Sequence, residues 1–472
     1  MSFLSFHFLL FLAITFVFIY KSGERINLRN NLLLFSSYYF YMCWDWRFAC
    51  LLLLNTLINF FVAERIATST DIRYRKKLVF IAVVSGLGVL AYFKYANFFL
   101  ETFSMLLSGF GLQINAPVLQ LILPIGISFY TFQSLSYTLD VYRGRQLHCN
   151  SLRDFSLFVA FFPTVLSGPI TRAHQLLPQI QSVSKLNPEK IETGLFLLMR
   201  GFIKKIAFAD VLAIHLVNPA FTDPSAYSSW FLLLAIYAYS FQIYMDLSGY
   251  TDIARGAANL LGFELPINFN RPYLADSVSN FWQRWHISMS GFFRDYLYFS
   301  VGGSKFGNAY LNLFITFVAI GMWHGAGWNF IFYGLIHGSV ICVERFARNR
   351  RVRLGMPPLS ESGWLWFLRV IIVFQIVAFS RILFRAPDLA AAITFASAII
   401  TSTAKAAPLS AIGICAFVLA VVCHFIPTRF SLALYDFIRS KNCWQLAVCL
   451  VFLVYVLIAM TSGKAPFVYF QF

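Results

Sequence analysis

The sequence predicts an all-α integral membrane protein that crosses the bilayer many times. Hydrophobic residues make up 59% of the 472 residues and charged residues only 12%, with a mean hydropathy of +0.69. Soluble domains carry roughly 25% charged residues, so this chain lacks the polar surface needed to cover a core of its size in water. Its apolar stretches show no barrel-like alternation, and helices are the remaining way to satisfy the backbone in lipid.

Apolar stretches that approach or reach the length of a membrane-spanning helix recur from end to end. Spans are predicted near residues 3–20, 31–46, 47–64, 78–100, 117–139, 191–217, 227–247, 309–322, 325–344, 364–384, 388–404, 408–427 and 443–462. This pattern predicts roughly 11–13 transmembrane or re-entrant helices within one membrane domain over residues 1–472. The first stretch is interpreted as a retained span because it has neither a basic leader nor a small-residue cleavage site. Residues 155–170 predict a buried half-helix, since they are too short and interrupted for a span.

The formal charge of +17 comes largely from short loops between the apolar stretches. Cytoplasmic loops carry an excess of Lys and Arg, so the basic residues at 73–77 and 345–353 are expected inside and the N-terminus outside. This interpretation leaves no need for a nucleic-acid partner. The alternative is that some of these arginines also hold an anionic ligand or a lipid headgroup.

Residues 247–308 are less apolar than the rest of the chain and rich in aromatic residues. This composition predicts short amphipathic helices at the cytoplasmic membrane surface over residues 252–308, with Trp282, Trp285 and Phe292 or Phe293 as apolar anchors. The alternative is an ordinary soluble loop.

Among the eight histidines, His324 has the most unusual setting. It lies between two apolar stretches, where an ionisable ring is costly unless it faces the protein interior or a cavity. Three nearby glycines, Gly321, Gly325 and Gly327, permit close approach of another backbone or a ligand. His324 is therefore a candidate catalytic or ligand-binding residue, with a structural histidine between helices as the alternative.

Two further histidines lie in less unusual settings. His286 fits the cap of a short helix, and His337 is interpreted as a packing residue. The chain has no phosphate-binding glycine loop and no GxSxG serine motif, and no cluster with metal-ligand spacing predicts a metal site. The eight cysteines form no CxxC pair and fit small buried hydrophobes.

Five strings in the centre of the chain resemble motifs of the membrane-bound O-acyltransferase family, in the same order. They are PIGISFYTFQSLSYTLDVYRG (124–144), FFPTVLSGPITR (161–172), MDLSGYTDIARGAANLLGFELPINFNRPY (245–273), FWQRWHISMSGFFRDYLY (281–298) and MWHGAGWNFIFYGLIHG (322–338). Within the family, the similarity is greatest to the bacterial branch that includes the membrane subunit of alginate O-acetylation. The ending APFVYFQF (465–472) also resembles that branch.

The resemblance implies the family's fold and an acyl transfer from a thioester donor toward a hydroxyl. It implies a catalytic role for His324 in MWHG. His286 in RWHIS matches the second characteristic histidine, which implies either catalysis or structural support for this residue. Supporting or substrate-binding roles are expected at these positions: Trp323, Asn329, Arg284, Asp295, Asp246 and Asp252.

The resemblance also implies the setting of the reaction. Acetyl-CoA is the expected donor, with no permanently bound cofactor. The expected partners are membrane lipid, a periplasmic acetyltransferase protein and an exopolysaccharide acceptor, and the expected location is the bacterial inner membrane.

Two other functional classes remain open on sequence grounds. A lipid or glycan transporter could use Asp246, Asp252, Arg255 and Asp295 as a path, although the internal repeat common in transporters is not visible. A scaffold that only anchors a periplasmic enzyme would tolerate changes at its buried polar residues.

The charge pattern makes a testable prediction about orientation. Cysteines introduced at residues 73–77 and 345–353 should react with a membrane-impermeant maleimide only after the cytoplasmic side is opened, and one at Phe472 should react in intact cells. Labelling of both basic loops in intact cells would reverse the orientation.

Overall fold

The computed structural model describes residues 1, 3–112, 118–166, 168–183, 186–404 and 409–460. Within these ranges the chain is helical and contains no strand, as the sequence predicted. Five of the described helices are long and apolar enough to cross a membrane, and five shorter apolar helices accompany them. The C-terminal string 465–472 lies outside the described residues.

The described residues form two compact units, the first comprising residues 1–198 and 251–266. Its helices are α1 (Phe6–Ser22), α2 (Ile26–Met42), α3 (Trp46–Thr68), α4 (Ile72–Gly109), α5 (Ile127–Tyr142), α6 (Leu152–Ala160), α7 (Phe162–Val165), α8 (Ala173–Gln181) and most of α9 (Pro188–Phe202). The short, interrupted pair α6 and α7 agrees with the predicted half-helix.

One predicted span of the first unit starts too early. The span expected near 117–139 becomes helical only at Ile127, because Gly126 adopts a left-handed conformation with φ of 75°. A Cβ on Gly126 would lie 2.2 Å from the carbonyl oxygen of Val165, so the turn also brings two backbones together. Pro124, two residues earlier, has no N–H to continue a helix.

Arg29 is a buried structural residue of α2. Its guanidinium donates to the backbone carbonyls of Gln179, Ile180 and Ser182, at the C-terminal end of α8. Asn30 donates to the carboxylate of Asp154 and to Ile180. The last carbonyl groups of a helix lack hydrogen-bond donors within the helix. Arg29 and Asn30 supply these donors at the end of α8.

The second unit comprises residues 199–250 and 267–472. Its α-helices are α10 (Asn218–Thr222), α11 (Ser229–Leu260), α12 (Val278–Arg284), α13 (Ile287–Phe292), α14 (Ala309–His324), α15 (Trp328–Arg353), α16 (Gly363–Arg385), α17 (Leu389–Thr401), α18 (Ala411–Phe425), α19 (Thr428–Arg439) and α20 (Cys443–Met460). Only the part of α11 that ends at Tyr250 belongs to this unit. Wider π-helical turns at Ile203–Asp210 and Ala213–Val217 interrupt the span predicted near 191–217.

The polar stretch predicted to form short helices begins later than expected. Residues 252–260 continue the long helix α11, which corrects the prediction that the surface segment starts there. From residue 272 the chain does form short elements, namely Pro272–Leu274, α12, α13 and the π-helical turn Phe293–Tyr298. Trp282, Trp285, Phe292 and Phe293 are all buried, which rules out an ordinary solvated loop.

Helices α14 and α15 pack through glycines on both sides. A Cβ on Gly321 would lie 2.3 Å from the carbonyl oxygen of Phe330, and one on Gly334 would lie 2.4 Å from the carbonyl oxygen of Phe317. Small residues allow such close helix contact in membranes, where dispersion contacts replace the hydrophobic effect as the driving force. The contact places the C-terminal end of α14 beside the N-terminal end of α15.

We expect Gly334→Leu to destabilise the protein by about 1–3 kcal/mol, because the larger side chain must separate the two helices. Gly88→Leu on α4 is the matched control, since no atom lies within 4 Å of a Cβ built there. Thermal unfolding in detergent should show a lower melting temperature for Gly334→Leu alone. Equal melting temperatures would contradict the close helix contact.

Candidate active site

His324 is the last residue of α14, and its side chain is only 2% exposed. Three aromatic rings surround the imidazole, with ring centroids at 4.8 Å for Trp323, 4.9 Å for Phe384 and 6.1 Å for Tyr333. All three meet it at steep interplanar angles, which aromatic pairs favour. The ring therefore has one packed position at the end of a membrane helix.

The glycines beside His324 serve protein packing. A Cβ on Gly325 would lie 2.0 Å from the ring of Phe330, and one on Gly327 would lie 2.4 Å from Asn329 Oδ1. Of the two possibilities that the sequence leaves open, close approach of protein or of a ligand, the structure shows protein here, because the side chains of Phe330 and Asn329 occupy that space. What the glycines provide is the sharp connection between α14 and α15.

Asn329 acts on the neighbourhood of His324 from the start of α15. Its amide Nδ2 donates to the carbonyl oxygens of Leu383 and Ala386, each at 3.0 Å, at the C-terminal end of α16. Phe384 lies between these two positions and packs on the His324 ring. Asn329 thus fixes the helix end that carries one wall of the site.

His286 occupies a strained backbone position. Its φ is 44° and ψ 54°, the left-handed region that non-glycine residues rarely adopt, and it lies just before α13. Asn268 holds this turn, because its carbonyl oxygen accepts from the Ile287 amide at 2.9 Å and its Oδ1 accepts from the Ser288 amide at 3.0 Å. Such strain persists only where the surroundings enforce it, and it clusters at functional sites.

Trp323 links the two candidate histidines. Its ring centroid lies 5.7 Å from that of His286 and 4.8 Å from that of His324. The second side of His286 faces Phe269 at 5.8 Å. The structure thus brings His286, Trp323 and His324 into one continuous set of ring contacts.

His337 belongs to a hydrogen-bonded chain whose direction is fixed. Trp282 Nε1 can only donate, so Nδ1 of His337, at 3.2 Å, accepts. Nε2 therefore carries the hydrogen and donates to Ser380 Oγ at 3.0 Å, and Ser380 donates to the carbonyl of Val377 at 2.8 Å. This agrees with the interpretation of His337 as a packing residue and shows that it joins α12, α15 and α16.

Asp246, one of the acidic candidates, has a charged partner in the structure. Asp246 is buried on α11, where Lys205 Nζ lies 2.8 Å from its Oδ1 and 2.8 Å from Oδ1 of Asp210. Asp252 lies further along α11, in the part of the helix that belongs to the first unit. A buried charge is tolerated when paired, so Asp246 has a structural partner in Lys205.

Arg284 and Asp295, expected as supports, make separate local contacts. Arg284 Nε donates to Asn280 Oδ1 at 2.8 Å, one turn earlier in the same helix. Asp295 pairs with its neighbour Arg294 at 2.9 Å, with 29% and 63% of the two side chains exposed. An ion pair that exposed contributes little to stability.

Sequence reasoning missed Arg381, which is 2% exposed on α16. Its Nη1 donates to the carbonyl oxygen of Ser240 at 3.0 Å and to the hydroxyl of Tyr273. Its guanidinium lies 4.5 Å from the ring centroid of Trp285, the residue before His286. An arginine inside an apolar stretch is the signal that could have found it.

The described contacts of Arg381 join three parts of the second unit around the His286 turn. Guanidinium groups stack on aromatic rings and are more weakly hydrated than ammonium groups, which suits Arg to a buried site of this kind. We infer that Arg381 holds Trp285, and with it the left-handed turn, against α11 and α16.

Apolar helices of bilayer length, together with a buried histidine pair in the second unit, define a polytopic α-helical membrane protein with an interior polar site. The sequence model of the MBOAT family, the membrane-bound O-acyltransferases, matches residues 145–384. The chain belongs to this family, as its motifs indicated, and is therefore a membrane acyltransferase.

Named relatives support the assignment. The probable alginate O-acetylase AlgI of Pseudomonas aeruginosa is 39% identical over 385 residues, 80% of this chain and 71% of the relative. The peptidoglycan O-acetyltransferase of Helicobacter pylori is 33% identical over 391 residues, 76% of this chain and 72% of the relative. The teichoic acid D-alanyltransferase of Bacillus subtilis is 28% identical over 286 residues, 58% of this chain and 71% of the relative.

The buried state of His286 predicts a pH effect on stability. Burial lowers the pKa of His286 from 6.5 to about 3. Because the unfolded chain binds a proton below about pH 6.5 and the folded chain does not, this residue makes stability fall as the pH drops from 6.5 toward 3.

The variant His286→Asn removes the titrating group while keeping a residue that tolerates left-handed backbone. Its melting temperature in detergent should fall less steeply between pH 7 and pH 4.5 than that of the wild type. His174→Asn is the control, because His174 is exposed. Parallel pH profiles for wild type and His286→Asn would show that His286 is not held neutral.

Proposed function

We propose that this protein moves an acetyl group from acetyl-CoA, a thioester donor in the cytoplasm, toward an exported polysaccharide, with His324 as the general base. The observation that carries the proposal is the burial of His324 at the end of a membrane helix, at the position that matches the family's histidine in MWHG. The site lies in the inner membrane, with donor and polymer on opposite sides.

In the proposed reaction, His324 first accepts a proton and later returns it. Nε2 or Nδ1 of neutral His324 accepts the proton of the attacking hydroxyl as its oxygen forms a bond to the thioester carbonyl carbon. Collapse of the tetrahedral intermediate breaks the carbon–sulfur bond, and the imidazolium returns the proton to the departing thiolate. General acid–base catalysis of this kind contributes roughly 10²–10⁴-fold in rate.

We assign His286 to positioning. Its ring contacts Trp323, which in turn contacts His324, and its backbone is held by Asn268. Trp323 and Asn329 set the packed orientation of the His324 ring through direct contact and through Phe384, respectively. Arg284, Asp246 and Asp295 keep supporting roles outside this ring set.

The acceptor is proposed from the relatives. Two of them carry names of O-acetyltransferases that act on alginate and on peptidoglycan. We infer an extracytoplasmic polysaccharide as the final acceptor here, reached through a periplasmic acetyltransferase protein. The hydroxyl that attacks at His324 then belongs either to that partner protein or to the polymer.

His324→Gln should abolish acetylation of the cell's exopolysaccharide, leaving less than about 1% of the wild-type level. Glutamine preserves a hydrogen-bonding side chain of similar length but cannot accept and return a proton. The measurement is polymer-bound acetate in a strain that carries only the variant protein.

His174→Gln makes the same substitution at an exposed histidine and should retain full acetylation. Membrane abundance and a monodisperse profile in detergent establish that each variant is folded. Wild-type acetylation by a folded His324→Gln protein would end the proposal and direct attention to His286.

A further inference from the structure

A cavity of about 300 Å³ lies between the short helices of residues 278–298 and helix α14 in the second unit. Its wall is mainly apolar, formed by Trp282, Ile287, Leu313, Phe317, Ile320 and Ile341. Trp282 packs edge-on against Phe317 at 5.5 Å and is tied to His337 by its indole N–H. The inner end of the cavity is therefore formed by side chains with fixed positions.

The other end of the cavity is polar and reaches the surface. Gln283 and Arg294 line it and are exposed. Tyr298 also lines it, and its hydroxyl accepts from Arg345 Nη1 at 3.3 Å. A long apolar wall with an exposed polar mouth matches an amphiphile, with its chain inside and its headgroup at the mouth.

The charges around the mouth favour an anionic headgroup. Two cations are placed there, because Arg294 lines the cavity and Arg345 donates to Tyr298, which also lines it; the anions of the same two segments are Asp295 and Glu344. Of the two anions, Asp295 is in a partly exposed pair with Arg294, and Glu344 accepts from the Ser279 amide and hydroxyl at 3.0 and 2.7 Å. The Arg294 side chain is 63% exposed, so a phosphate can approach its guanidinium from the solvent side.

We propose that this cavity binds an acyl chain of an anionic membrane phospholipid, with the lipid phosphate at Arg294. The site does not involve the thioester donor, and the proposal stands whether or not His324 is the catalytic base. Ile320 lies one turn before His324 on α14, so a bound chain packs against the helix that carries this histidine.

The test compares lipid retention by the purified full-length protein. After reconstitution in equimolar vesicles of dioleoylphosphatidylglycerol and dioleoylphosphatidylcholine, the protein is extracted in mild detergent and its bound lipids are counted by native mass spectrometry. We expect one retained phosphatidylglycerol. Arg294→Gln should reduce the preference for phosphatidylglycerol about fivefold, the effect of one surface cation, whereas Arg353→Gln, at the end of α15, should not change it.

A second pair of variants addresses the cavity itself. Leu313→Trp fills it and should abolish retention, whereas Leu311→Trp, on the same helix but 54% exposed, should not. Dihexanoylphosphatidylglycerol tests the wild-type protein without any variant and should not be retained, because its chains are too short to fill the apolar wall.

Three results would overturn the proposal: retention unchanged in a folded Leu313→Trp protein, equal retention of the two headgroups by the wild type, or displacement of the lipid by millimolar acetyl-CoA. The last result would assign the cavity to the donor. None of these measurements depends on acetylation activity, so they remain informative if His324→Gln proves active.

Discussion

The close contact of α14 with α15 is the constraint on which the candidate site depends. Gly321 and Gly334 allow the backbones of the two helices to pack in direct contact. The chain therefore reverses sharply just after His324. The reversal places Phe330 against Gly325 and brings Asn329 to the end of α16. The backbone packing of α14 against α15 thus orients His324.

Buried cations provide the second layer of organisation, and each is compensated differently. Arg29 binds carbonyl groups at the end of α8, Lys205 binds two carboxylates, and Arg381 binds a carbonyl, a hydroxyl and the face of Trp285. A charge inside a membrane protein is costly unless the protein supplies such partners. These three residues therefore connect elements far apart in the chain.

The sequence predicted the helical class, the position of most spans and the two histidines, because hydropathy and local motifs are encoded by neighbouring residues. It did not predict the roles of Arg29 and Arg381, since the residues on other elements to which they donate hydrogen bonds lie 108 to 153 positions away in the chain. It left open whether protein or a ligand approaches the glycines near His324, because open space and space filled by Phe330 cannot be told apart in a sequence. Residues 252–260 were assigned to the surface segment on polarity alone, although α11 continues through them.

The left-handed backbone of His286 affects which substitutions the chain is expected to accept during evolution. The left-handed conformation costs free energy for a residue with a β-carbon, but not for glycine. Proteins retain strain of this kind where selection favours activity over stability. Replacements that relax the turn are therefore expected among variants chosen for thermal resistance alone. Lineages under selection for acyl transfer should retain the strained backbone turn and gain their stability elsewhere in the helices.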